Sequence, residues 1–352
     1  MNTLPSSKKK TSMPYKFYLL VVFILTLSMV FYVFPDSLDI TRYYEMAETA
    51  VWQYGSVIDY AENWYETHFD FIYPASLFLA VKMGLSMDII TVLYMSLYYI
   101  CVFEILRKNF PNLRIPGYIL LYGIMFAPFI WIQSISRNLA SIAFFYLAVS
   151  FILEGKKFKS VACLIISLFT HVSILMYIPL IFIAYFLEKR DVNNKLIGLS
   201  IIVALVFSFL APSQLLDLIS FVLDGSDMRY ADDYGQLQAQ GALQNSYIGY
   251  GDKLPIVFCL LYSVLLLFIN NRKDFMYWML YILTLMLAFF VFSSLMFTNR
   301  VIMLMTLFVV FNAYNVIRYG STNKIKILKT FSIIGCFVVL MHFYAYRMYF
   351  SI

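Results

Sequence analysis

The chain is a succession of apolar runs, each close to the length of a bilayer crossing, set apart by short charged stretches. A helix needs about 20 apolar residues to cross the hydrocarbon core, and about 17 is the lower limit. Segments 17–34, 88–106, 116–133, 137–153, 195–211, 254–270, 275–296, 300–318 and 327–346 meet that requirement. Stretch 158–187 is too long for one ordinary span and is interrupted by Thr170-His171-Val172-Ser173, so it reads as two short spans meeting at a polar break. Segment 71–86 is shorter and carries Pro74, Lys82 and Gly84; it reads as re-entrant or interfacial. Composition agrees: 62% of residues are hydrophobic and 13% charged, about half the charge of a soluble domain. Disordered, collagen-like and disulfide-stapled chains are excluded by the same figures. The four cysteines (Cys101, Cys163, Cys259, Cys336) sit inside apolar runs without ligand-like spacing and read as packing residues. No metal or other cofactor is expected. The fold class is an all-α polytopic membrane protein, a single integral membrane domain over 1–352.

Orientation follows from where the charge lies. With 71–86 not crossing, about eleven crossings result, and the N-terminus is cytoplasmic. The cytoplasmic loops then hold 19 Lys or Arg against 5 acids, and the opposite side 7 basic residues against 15 acids. If 71–86 crossed, every later basic loop would face outward. The net charge of +6 is segregated between loops rather than spread along one face, which excludes a nucleic-acid binder. Run 17–34 is too long for the core of a cleaved signal and no small-residue site follows it, so it reads as an anchor helix.

Two large outer loops remain, 35–70 and 212–253, both acidic. Residues 41–54 place Tyr43, Met46, Ala47, Ala50 and Tyr54 at helical spacing. That predicts an amphipathic helix lying on the outer membrane surface. Asp232-Asp233 resembles a metal-binding carboxylate pair but reads better as part of a solvated acidic loop. The outer aromatics, among them Trp52, Tyr60, Trp64 and Tyr230, suit an interfacial belt. Mixed with carboxylates, they equally suit carbohydrate, whose apolar faces stack on rings while its hydroxyls bond to acids.

Ionisable groups inside or beside spans cost free energy and are functional candidates for that reason. Four stand out, and on this topology all approach the outer side: Asp39 after the first span, Arg137 opening 137–153, His171 in the polar break, and Arg300 at the head of 300–318. Each has a plainer reading. An arginine at a helix end snorkels to the interface, a histidine in a helix break bonds freed carbonyls, and Asp39 or Thr41 caps the amphipathic helix. Together they suggest chemistry. Arginine offers a planar fork for phosphate oxygens, and a histidine or aspartate takes a proton from a hydroxyl. A neutral histidine, with an unperturbed pKa of about 6.5, needs no tuning to act as base. A carboxylate would need desolvation or a neighbouring acid, and Arg42 three residues from Asp39 works the other way. His171 is therefore the expected base and Asp39 the positioning group. Phosphate-binding loops, dinucleotide fingerprints, His-Glu-x-x-His and nucleophile elbows are absent from the sequence.

These elements resemble those of the EpsG-like, Wzy-type polysaccharide polymerases. Asp39-Ile40-Thr41-Arg42-Tyr43-Tyr44 is similar to that family's D-x-x-R-Y-Y element, and Arg137-Asn138-Leu139-Ala140 to its R-x-x-L-A. Leu168-Phe169-Thr170-His171-Val172-Ser173 resembles its L-F-H-x-S, with Thr170 as an extra residue before the histidine. Asn299-Arg300 matches a late arginine, and the resemblance runs over roughly 17–320. It implies a GT-C-like glycosyltransferase of the bacterial inner membrane, active on the periplasmic face. Its implied substrates are undecaprenyl-diphosphate-linked glycans, as donor and acceptor, polymerised into O-antigen or a related surface polysaccharide. Its implied partners are membrane lipid, a chain-length regulator and a flippase. In that frame His171 and Asp39 are the expected catalytic pair, and Arg137, Arg300, Arg42 and Tyr43 the expected substrate-binding set.

Two other functions fit a chain of this kind. A lipid-linked oligosaccharide flippase lines a central cavity with charge on several helices; here mid-span positions are almost entirely apolar, which disfavours transport. An O-antigen ligase, moving finished polymer onto an acceptor, is barely separable from a polymerase by sequence.

Overall fold

A computed structural model describes residues 39–65, 70–109, 122, 126, 136–210, 250–292 and 295–350. Expected span 17–34, nearly all of 116–133, and loop 212–253 before Tyr250 lie outside the described residues. The described residues form twelve α-helices and one 3-10 turn, with no strand among them. We label the helices α1 (Asp39–Gln53), α2 (Val57–Tyr65), α3 (Ile72–Lys82), α4 (Met87–Asn109), α5 (Ser136–Leu153) and α6 (Lys157–Thr170). After the 3-10 turn Val172–Met176 come α7 (Ile178–Glu188), α8 (Asn194–Leu210), α9 (Tyr250–Ile269), α10 (Phe275–Phe290), α11 (Leu295–Tyr319) and α12 (Thr322–Phe350).

Helix α11 is the axis of the bundle. Nearly all of Val301–Val316 is buried, wrapped by α5, α9, α10 and α12. Two tyrosines from neighbouring helices bond its backbone: Tyr98 donates to the Met303 carbonyl (2.8 Å), and Tyr146 to those of Met303 (2.8 Å) and Leu304 (3.0 Å). Asn312 donates to the carbonyls of Phe308 and Met276 and accepts from Asn270 at 2.6 Å. Between apolar helices such polar contacts supply orientation that lipid-like packing alone does not. The periphery is the reverse of a soluble protein. Leu199, Ile202, Val206 and Phe209 on α8, Phe182 and Phe186 on α7, and Phe337, Leu340 and Met341 on α12 all face outward. Apolar patches of that extent fit a lipid face, and α11 and α12 are long and apolar enough to cross a membrane.

A second, smaller core lies in the first described segment. Tyr43, Ala47 and Ala50 of α1 form a stripe that packs with Tyr60 of α2, Tyr73, Leu77 and Phe78 of α3, and Ile90 of α4. The apolar face of α1 is thus turned onto α3, where two alanines allow close approach. Met46, expected on that face, stands partly outward at 42% exposure, and Trp52 projects almost wholly at 91%. Burial pushes the Tyr60 hydroxyl up to about 12, so this ring stays neutral and serves as packing. Helix α3 covers the segment expected to be re-entrant or interfacial. Its 11 residues span about 16 Å at 1.5 Å per residue, short of the roughly 30 Å core. It stops at Gly84, whose φ of 73° suits glycine; the amides of Gly84 and Leu85 close on the carbonyls of Val81 and Ala80.

The long stretch expected to break does so. Helix α6 ends at Thr170, His171 is extended (φ −161°, ψ 122°), and the 3-10 turn leads into α7. Helix α6 runs against α5 and α7 against α10, so both arms converge on His171.

Candidate active site

Ion pairing assembles the site. Asp70, two residues before the start of α3, is fully buried, and its Oδ2 receives both Arg137 Nη1 at 3.2 Å and His171 Nδ1 at 3.0 Å. Arg137 is the second residue of α5, and its guanidinium lies over the Tyr43 ring of α1, 4.8 Å from the centroid. A buried cation requires a counter-charge and an aromatic face adds to it; here both come from the α1–α3 unit. The Phe71 and Phe169 rings, 5.4 Å apart, close the seam beside the carboxylate.

The histidine is held from below by hydrogen bonds between α5 and α6. Ser141 Oγ donates to the Ser167 carbonyl (2.8 Å) and Ser167 Oγ to the Ser141 carbonyl (2.7 Å). This reciprocal pair brings the helices close four residues before His171. Beyond the break, Ser173 Oγ donates to Asn138 Oδ1 at 3.1 Å, tying the 3-10 turn to the start of α5. The break is thereby pinned on both sides.

Arg300, in the first turns of α11, lies within electrostatic reach of the His171 ring, as does Arg137. Thr298 Oγ1 donates to the Phe290 carbonyl at 3.1 Å, tying the first turn of α11 to the end of α10. His171 Nε2, Asn299 Oδ1 and Arg300 Nε are buried and have no hydrogen-bond partner among the described residues. Native proteins satisfy nearly all such atoms, so His171 Nε2 and Arg300 Nε, within electrostatic reach of one another, are available for polar chemistry. Among the described residues, no group of three or more His, Cys, Asp or Glu is placed to hold a metal ion.

The structure therefore brings together Arg137, His171 and Tyr43, with Arg300 close by. Asp39 and Arg42 belong to the first turn of α1, and their side chains lie outside the described residues. Asp70 was not foreseen; in the sequence it is one of eight acids in the outer loop 35–70. Two signals point to it: it directly precedes the apolar segment 71–86, and a buried arginine requires a buried anion.

All of these residues lie at one end of the bundle. The opposite end gathers the basic turns: Lys273 Nζ donates to the Val192 carbonyl, Arg272 pairs with Asp274 at 3.1 Å, and Asn271 bonds the Tyr319 carbonyl. A model of the EpsG family matches residues 15–351. The chain belongs to the EpsG family. That family is related to the Wzy-like polymerases, and the match covers every residue of the site. No curated protein and no solved structure matches the chain. Within an EpsG-family protein, the seam between α1–α3 and the bundle is the one place among the described residues where a buried histidine, a buried carboxylate and two arginines meet.

Proposed function

We propose that this EpsG-family chain is a glycosyltransferase that polymerises undecaprenyl-diphosphate-linked repeat units into O-antigen or a related surface polysaccharide, with the site of Asp70, Arg137, His171 and Arg300 facing the periplasm. The observation that carries the reading is the meeting of Arg137 and His171 on the buried Asp70, with Arg300 within electrostatic reach of the ring, at one end of an apolar bundle. The acceptor sugar's hydroxyl oxygen bonds the donor's anomeric carbon. The bond from that carbon to the diphosphate breaks, and its electron pair leaves with undecaprenyl diphosphate. The hydroxyl proton passes to His171.

The cations divide the work. Arg137 is committed to Asp70 and Tyr43, whereas the Nε of Arg300 has no partner among the described residues, so Arg300 takes the larger share of the departing charge. Asp39, with Arg42 and Tyr43, orients sugar hydroxyls. The test is a cell-surface glycan gel. Loss of the chain, or His171→Ala at equal protein level, leaves single repeat units on lipid diphosphate. Long lipid-linked chains in the same strain would instead make it a ligase. Repeat units trapped on the cytoplasmic face would make it a flippase.

A further inference from the structure

The hydrogen atoms in the Asp70–Arg137–His171 group can be placed by elimination. Asp70 Oδ2 accepts from Arg137 Nη1 while lying 3.0 Å from His171 Nδ1. A carboxylate paired with a guanidinium is ionised and acts only as an acceptor. Nδ1 must therefore carry a proton, and in the neutral ring Nε2 is left bare. A second proton on Nε2 would be buried without an acceptor among the described residues.

We propose that Asp70 is a positioning residue that fixes His171 in the Nδ1–H tautomer and holds its ring, so that Nε2 is the atom that takes the acceptor's proton; this rests on His171 acting as base. Arg137 serves this arrangement by keeping the carboxylate charged and immobile against the Tyr43 ring. The unit α1–α3 then has a defined task, since it delivers the anion that orients a base carried by the bundle. Asp70 touches no reacting atom. It acts through the imidazole, as a base oriented by a third group does in other nucleophile–base systems. The proton accepted at Nε2 leaves to water or to the departing diphosphate, and the ring returns to its starting form.

The chain has three histidines, His68, His171 and His342, few enough for nitrogen spectroscopy. Full-length protein with ¹⁵N-labelled histidine is placed in lipid nanodiscs, and the resonances lost in His171→Gln identify the ring. We expect a protonated Nδ1 and a bare Nε2 in the parent chain. In Asp70→Asn the ring shifts toward Nε2–H, and polymer falls by about 10²-fold or more, on the scale of a lost general base. Asp70→Glu keeps the charge and recovers part of both signals. A parent ring protonated on Nε2 overturns the proposal, and so does an Asp70→Asn protein that keeps the tautomer or keeps polymer within about twofold of the parent. Should Asp70→Asn not accumulate, the parent spectrum decides alone. If the chain makes no polymer at all, the polymerase reading fails, while the tautomer still reports whether Asp70 positions the ring.

Discussion

Arg137 and Arg300 share a side-chain type but not an environment, and substitution should separate them. Arg137 is paired with a fully buried carboxylate. Removing one member of such a pair leaves the other buried and uncompensated, at a cost of about 3–5 kcal/mol. Arg137→Ala should therefore lower the unfolding midpoint of the protein in detergent, and Asp70→Leu combined with Arg137→Met should recover much of the loss. Arg300 anchors no described ion pair, so Arg300→Ala should unfold nearer the parent while polymer output falls about 10²–10³-fold. Arg300→Lys should restore little, because an ammonium lacks the fork. Equal polymer from Arg300→Ala and the parent would remove Arg300 from the chemistry. Arg137 and His171 were legible in the sequence because a charge among apolar residues is conspicuous. Asp70 was not, because an acid in an acidic loop looks solvated until the chain folds over it.

At the scale of elements, the histidine depends on how closely α5 and α6 approach. The reciprocal serine bonds at Ser141 and Ser167 need short side chains on both helices. Ser167→Ala should cost about 1 kcal/mol and leave most polymer. Ser167→Leu should drive the helices apart and abolish polymer while the protein still accumulates; retained polymer in Ser167→Leu would show that the spacing is not critical. The break at 170–173 was readable because a polar tetrapeptide cannot sit unremarked in a run too long for one span. The facing of α1 was not. Periodicity gives an apolar stripe without saying what covers it, and here Ala47 and Ala50 let α3 do so.

For the whole molecule, the two ends differ in charge, and that difference should decide orientation. In a background free of the native cysteines, Ser226→Cys should label from outside intact cells and Ser321→Cys only after permeabilisation. Labelling of both from one side would reverse the topology. The all-helical architecture was legible from run lengths alone. The seam between two separately packed cores was not, since it depends on contacts between α1 and α5, far apart in the chain. That seam has a kinetic consequence. A sugar on a diphosphate leaving group can be captured by any nearby hydroxyl, and water is the commonest one. The proposed base is 3% exposed and its anion 0%, under a roof that includes Tyr43 and the Phe71–Phe169 ring pair. For the transfer proposed here, dryness decides between chain growth and wasteful hydrolysis. Opening the roof with Tyr43→Ala should leave the donor consumed but divert it, so that free oligosaccharide appears in the medium as polymer shortens.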